Sequence, residues 1–328
     1  MTSPDTQIDR TALRRPSWRV GRWLWVVAVA LYAVVVWYVG WRNVRDAAAS
    51  MALGWFGGMV GLELAGFWLR ALKWRYVLGP GVHAFGVFFL SKTAGQYSPG
   101  RVGELSPLLL RRHRNAKMGA WIVVDRLLET ASTLTFGLTG FLALQLTTPG
   151  TFAAAAVGLA VLVVTPFIVI TRRGLFLWLT QRTREGSVPH RGAMFLAAVS
   201  SAVWGLGRKM PVAVGMTVCA TLLELTGAIM LYRAFGYPVS LAMTASAKCA
   251  NSLVAAIPVT PGATGVPQMA TGYVMHEVAG IPLDVLATAL GLHMIMVTVI
   301  LWSSFGLGML DMRRSPKASP AKEVRKDG

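Results

Sequence analysis

Residues 83–100 read HAFGVFFLSKTAGQYSPG, the body of an apolar stretch over about 82–100. It opens like a membrane span, but Lys92 and then Pro99-Gly100 interrupt it before the roughly 20 apolar residues that a crossing helix needs. A second stretch, 239–266, reads VSLAMTASAKCANSLVAAIPVTPGATGV and has the same build, with Lys248 inside and Pro261-Gly262 near its end. Non-helical backbone at membrane depth has to be covered by protein or line a wet cavity, because hydrocarbon satisfies no N–H or C=O group. Both stretches are therefore expected to be re-entrant hairpins at the centre of the molecule.

Outward from these hairpins lie six cleaner candidates for spanning helices, at about 23–40, 51–70, 117–144, 152–171, 210–232 and 285–310. The run from Trp23 to Gly40 resembles a signal peptide in following five arginines. Its length and its flanking Trp23, Trp25, Trp37 and Trp41 suit a spanning helix instead. The 328-residue chain is 54% hydrophobic and 14% charged, with a mean hydropathy of +0.54. A soluble domain carries about 25% charged residues, so much of this surface is expected to face a bilayer. The fold expected is an all-α polytopic membrane protein of about six transmembrane helices plus two re-entrant hairpins.

The net charge of +18 would suggest nucleic acid in a soluble protein. Here the basic residues fall between apolar runs and no groove-reading motif occurs, so no nucleic-acid partner is expected. Twenty-five lysines and arginines sort to one side of the expected topology, in 10–22, 70–75, 111–117, 172–209 and 313–326. Only Arg42, Arg45 and Arg233 sort to the other. The positive-inside rule then places both termini in the cytoplasm of a multi-pass protein of the cytoplasmic membrane. On this topology the hairpins enter from opposite faces. The shared pattern Pro-Gly-x-x-Gly (99–103 and 261–265) then suggests an inverted repeat, the architecture of carriers with a midplane site. The expected parts are a basic tail (1–22), one transmembrane domain (23–310) and a basic tail (311–328). The repeat halves are about 51–171 and 210–310, joined by an amphipathic cytoplasmic loop, 172–209.

Charges inside spans are costly and usually mark partners or pathways. Asp125 and Glu129 share a helix face at i, i+4, with Arg126 beside them; they are read as structural ion pairs or as a headgroup or proton site. The first hairpin offers Lys92, Gln96, Tyr97, Pro99, Gly100, Arg101, Gly103 and Glu104. The guanidinium of Arg101 can hold a phosphate through two bonds, unless Glu104 neutralises it. The second hairpin offers Lys248, Asn251, Pro261, Gly262, Gly265 and Gln268. Lys248 is either a second cationic contact or snorkels to the interface. Glu63 and Glu224 are candidates for proton coupling, against a plain helix–helix hydrogen bond, and His293 reads as a packed helix residue. The five histidines and two cysteines have no metal-ligand spacing, and no catalytic signature is present. No metal, cofactor or enzymatic activity is expected.

Four of these features together carry a resemblance. Arg70-Ala71-Leu72-Lys73-Trp74-Arg75-Tyr76-Val77-Leu78, Pro99 to Glu104, the pair Asp125-Arg126, and Pro261 to Gln268 resemble the signatures of the lysylphosphatidylglycerol synthase transmembrane-region family. The chain departs from that pattern at Ala263 and Gln268, where the family shows glycine and glutamate. The resemblance covers about residues 20–310 and implies translocation of a lipid, without the soluble aminoacyl-transfer domain of the bifunctional members. The expected function is flipping of an anionic phospholipid or polyprenyl-phosphate-linked lipid through a polar cavity between the hairpins. The alternatives are a membrane enzyme or accessory subunit transferring a sugar or aminoacyl group to a lipid carrier, and a lipid-binding scaffold. The expected partners are membrane lipids, and an oligomer is left open.

Overall fold

A computed structural model describes residues 40–79, 83–96, 98, 102–109, 116–144, 172–255 and 266–314, together with Trp37 and Val157. Every regular element among the described residues is helical. In chain order they are α1 (Trp41–Ala49), α2 (Leu53–Leu78), α3 (Ala84–Gln96), a 3-10 helix (Val102–Leu109), α4 (Ala116–Ala143), α5 (Arg173–Arg182), α6 (Val188–Gly205), a 3-10 turn (Gly207–Lys209), α7 (Met210–Ala234), α8 (Leu241–Ala255), α9 (Val266–Ala279) and α10 (Leu283–Arg314).

Local chemistry sets several boundaries. α2 stops at Gly79, which takes φ 92° where a side chain would be strained. α6 begins at Ser187, whose hydroxyl accepts the backbone N–H of His190 at 3.3 Å, with a proline in its first turn. Two segments, Gly207–Ala234 and Leu283–Gly308, are long and apolar enough to cross a membrane, and α1 with α2 would form a third, bent by 90°. α3 and α8, with 13 and 15 residues, extend only about 20 Å and 22 Å at 1.5 Å per residue. Both fall short of the roughly 30 Å hydrocarbon thickness.

Several expected boundaries shift. The span expected at 51–70 continues to Leu78, so Arg70 and Lys73 lie inside a helix and not in a loop. The basic run 70–75 is therefore not a solvated cytoplasmic cluster. Its first arginine and its lysine are buried by partners on other helices, and Arg75 alone of the three stays exposed. The second hairpin's return, which the sequence pattern closes at 266, continues as the 14-residue helix α9. The candidates 23–40 and 152–171 lie outside the described residues, apart from Trp37, Gly40 and Val157, as do both Pro-Gly turns.

The helices form two sets of matching order. In each, a long helix is followed by a short helix, a short return and a long helix: α2, α3, the 3-10 helix and α4, then α7, α8, α9 and α10. The sets embrace each other. α2 packs along α7, α3 packs on α10, and α8 packs on α4. α2 and α7 run antiparallel: Ala52 N–H donates to the Ala234 carbonyl at 2.7 Å at one end, and Lys73 meets Thr217 at the other. The crossings of the short helices are close because glycines permit it. A Cβ on Gly137 would strike Cys249, and one on Gly308 would lie 2.6 Å from the Gly86 Cα.

An aromatic core seals one end of this arrangement. Trp74, Trp121 and Phe88 are buried, with ring centroids 6.5 Å (Trp74–Trp121) and 5.6 Å (Trp74–Phe88) apart in edge-to-face contact. Large apolar side chains such as Trp68, Ile295, Val299, Trp302 and Leu307 lie exposed on the outer faces. That distribution suits hydrocarbon and would be a liability in water.

Candidate functional site: a charge-lined cavity between the two helix sets

One face of α2 starts the site. Glu63, Arg70, Lys73 and Trp74 recur at helical spacing, so the helix turns all four inward. The Lys73 ammonium is fully buried and pairs with Asp125 Oδ1 at 2.6 Å. It also donates to Thr217 Oγ1 at 2.8 Å. Trp74 Nε1 donates to the other carboxylate oxygen of Asp125 at 2.9 Å. Asp125 is thereby held behind the cavity wall, by α2 on one side and by Lys92 of α3 at 3.7 Å on the other.

One turn further along α4, Glu129 gathers three cations. Lys92 Nζ donates to its two oxygens at 3.0 and 2.9 Å. Arg70 Nε lies 3.6 Å away and Arg126 Nη1 3.4 Å away. Arg126 also reaches Glu104 of the 3-10 helix at 3.4 Å. From the second set, Glu224 of α7 takes Arg70 Nη1 at 2.6 Å and the Lys248 ammonium of α8. Farther along the wall, His293 Nε2 of α10 meets Glu63 Oε1 at 3.2 Å. Low-dielectric surroundings make each of these pairs strong in gross terms and each unpaired member costly.

These groups line a cavity of about 550 Å³ between α2, α3, α4, α7, α8, α9 and α10. Exposure separates two kinds of cation within it. The side chains of Arg70 and Lys92 are 12% and 11% exposed, clamped by carboxylates. Arg126 and Lys248 are 35% and 30% exposed, and so present open faces to the cavity. Apolar side chains, among them Phe67, Leu134, Leu231 and Val297, complete the lining. Such a wall offers charge to a headgroup and hydrocarbon to a chain.

Of the residues singled out in the sequence, Glu63, Lys92, Gln96, Glu104, Arg126, Glu129, Glu224, Lys248, Asn251 and Gln268 come together on this one cavity. Asn251 ties α8 to α9 by donating to the Pro267 carbonyl and to Thr271 Oγ1, both at 3.1 Å. Gly103 serves the backbone: its N–H donates to Ser98 Oγ at 2.6 Å, and a Cβ there would strike the Ala94 carbonyl. Asp125 is a positioning group and does not line the cavity. Tyr97, Pro99, Gly100, Arg101, Pro261, Gly262 and Gly265 lie outside the described residues. Glu63 makes a helix–helix hydrogen bond with His293, and Glu224 takes two cations, Arg70 and Lys248. Lys248 does not snorkel outward but turns onto Glu224.

Three participants are not evident from the sequence pattern. Arg70 and Lys73 sort with a basic loop, although their i, i+3 spacing beside Trp74, continuing the face of Glu63, marks one helix stripe. His293 reads as packing; its intramembrane place in an apolar helix is the signal that it needs a partner.

The described residues thus define an all-helical membrane protein, with two interlocking sets of helices around a charge-lined cavity. The model of one family, the lysylphosphatidylglycerol synthase TM region, matches residues 25–303, and the chain belongs to that family. A function connected with membrane lipids follows from that membership. No curated protein and no solved structure matches the chain.

Proposed function

We propose that this protein carries a lipid with an anionic phosphate headgroup, a phospholipid or a polyprenyl phosphate, from one leaflet of the cytoplasmic membrane to the other. The observation that supports this most is the pair of cations about one-third exposed, Arg126 and Lys248, facing one cavity from opposite helix sets. A charged group crossing bare hydrocarbon costs several kcal/mol or more. A cavity that supplies cations lowers that cost, while apolar lining accommodates the start of the chains.

The architecture that goes with this reading has about six spans and two re-entrant hairpins, with both termini cytoplasmic. The short helices α3 and α8 are the descending arms of the hairpins, and the 3-10 helix and α9 are the returns. The antiparallel packing of the two leading helices, α2 and α7, favours an inverted repeat, since a parallel repeat would leave them parallel. Rocking of one helix set against the other would expose the cavity alternately. The protein acts as a carrier and not as an enzyme.

Purified protein in vesicles containing a trace of fluorescent phospholipid, or of labelled polyprenyl phosphate, tests this. The expected result is accelerated movement between leaflets for one of the two lipid classes. Rates equal to those of empty vesicles for both classes would refute the proposal.

A further inference from the structure

The ion pairs divide unevenly between the two helix sets. Lys73–Asp125, Lys92–Glu129, Arg70–Glu129 and Arg126–Glu104 lie within the first set. Lys248–Glu224 lies within the second. Among the described residues only two pairs bridge the sets: Arg70–Glu224 and Glu63–His293. Separating the sets has opposite consequences for these two bridges. Arg70 keeps Glu129, and Glu224 keeps Lys248, so no charge is orphaned. Glu63 loses His293 and keeps only Arg70 of its own helix, which acts on it from beyond ion-pair distance. A carboxylate left alone in a membrane protein takes up a proton in preference to remaining charged.

The source of that proton is beside it. Among the described residues His293 is the one basic partner in the network that is an imidazole and not a lysine or arginine, and its side chain, 34% exposed, lines the cavity. The charged groups that share the cavity with the pair are Arg70 of α2, Lys92 of α3, Glu104 of the 3-10 helix, Arg126 and Glu129 of α4, Glu224 of α7 and Lys248 of α8. Each is ion-paired with another member of this group. The charged residues of α1 and α9, which also pack on α10, are exposed and outside the cavity lining, and Asp284 lies at the far start of α10.

We infer that the Glu63–His293 pair is a proton site, and that the carrier moves one proton together with each singly anionic phosphodiester headgroup. The inference rests on the carrier reading above. In the closed arrangement the pair takes a proton from the wet cavity onto His293. As the helix sets part, the proton passes to Glu63, and it leaves on the opposite side with the lipid. Among the described residues five fixed cations (Arg70, Lys73, Lys92, Arg126, Lys248) face five carboxylates (Glu63, Glu104, Asp125, Glu129, Glu224). One added proton offsets one added phosphodiester charge, whatever the fixed balance. The cargo as a whole is neutral, so a pH gradient drives it and a membrane potential does not.

The test uses wild-type protein in phosphatidylcholine vesicles with a trace of fluorescent phosphatidylglycerol, read as the steady-state fraction in each leaflet. One unit of imposed pH difference should enrich the labelled lipid about tenfold in the leaflet on the alkaline side, since a pH unit is a factor of ten in proton activity. A potassium-diffusion potential should leave the distribution unchanged. His293→Gln and Glu63→Gln should still move lipid, but should equalise it between leaflets under the pH gradient and let it follow the potential. Fast movement by wild type without enrichment, enrichment on the acid side, or enrichment that survives both substitutions would overturn the coupling and leave the carrier reading standing. Absence of any movement by wild type would remove both.

Discussion

Replacing Asp125 by Asn should destabilise the protein far more than replacing its partner Lys73 by Met, although the two form a single ion pair. Lys73 sits 2.6 Å from Asp125 Oδ1 with its side chain wholly inaccessible. Without that carboxylate its close partners among the described residues are the Thr217 hydroxyl and the Trp121 ring face, 5.9 Å away, with Glu129 acting on it from farther off. At an effective dielectric of about 20, the lost attraction is on the order of 6 kcal/mol in gross terms. Orphaning one member of a buried pair typically costs about 3–5 kcal/mol net. The reverse change is milder. Asp125 without Lys73 keeps the Trp74 N–H at 2.9 Å and Lys92 at 3.7 Å. At that distance Lys92 still supplies on the order of 4 kcal/mol of gross attraction. Lys73→Met should therefore cost about 1.5–2 kcal/mol, the low end of the range for losing one charged hydrogen bond. The double variant should resemble Lys73→Met alone, because the neutral amide introduced by Asp125→Asn then faces no unpaired ammonium. Unfolding free energies from detergent–denaturant titration of the four proteins give the comparison. A loss below about 1 kcal/mol for Asp125→Asn, or a larger loss for Lys73→Met, would contradict the assignment of Asp125 as the principal anion for Lys73.

Arg126→Ala should slow lipid movement at least tenfold yet change stability by less than about 1 kcal/mol, because its pairs are 3.4 Å long and its side chain is 35% exposed; transport and unfolding measured on one preparation separate the two effects. Gly137→Ala should destabilise by about 1–3 kcal/mol, because the new methyl group meets Cys249 across the α4–α8 crossing. Gly215→Ala, with open space around the position, serves as the tolerated control in the same unfolding assay. Buried Cys249 should take a small maleimide only after unfolding, as mass spectrometry of labelled samples would show.

The membrane class was legible because it depends on composition and run length, which a bilayer constrains directly. The boundaries of α4 and α7 were legible for the same reason. What escaped the sequence was the direction in which charged side chains point. Arg70, Lys73 and Arg75 are closely spaced basic residues at the end of an apolar run, which is also what a cytoplasmic anchor looks like. Only partners distant in sequence, Glu129, Asp125 and Glu224, decide that the first two turn inward. α9 escaped for a related reason. It follows directly on the Pro261-Gly262 punctuation and carries Pro267, but Pro267 occupies the helix's first turn, where its missing N–H is harmless. Glu63, Glu129 and Glu224 all stand out in the sequence as intramembrane carboxylates. Which are fixed by permanent cations and which by a histidine could not be read from spacing, because that depends on how the two helix sets interlock.

The interlocking also bears on how such a molecule can move. Charged side chains at the centre of a membrane helix cost roughly 2.5–3.5 kcal/mol each when unpaired, so a motion that broke most of this network at once would be prohibitively slow. The pairing avoids that. Lys73, Lys92 and Arg126 are satisfied by carboxylates of their own helix set, and Lys248 by Glu224 of its own. Arg70 holds one carboxylate from each set, so it can release Glu224 without losing Glu129. The surfaces that would slide are instead built from small residues: Gly66 lies 3.7 Å from the Ala220 carbonyl, and Gly227 lies at the same distance from the Met59 carbonyl, each measured from the position its Cβ would occupy. On the proposed carrier reading, parting of the two sets would break only Arg70–Glu224 and Glu63–His293 among the ion pairs of the described residues; Arg70 and Glu224 each keep another partner, so the electrostatic change would fall on Glu63 and His293.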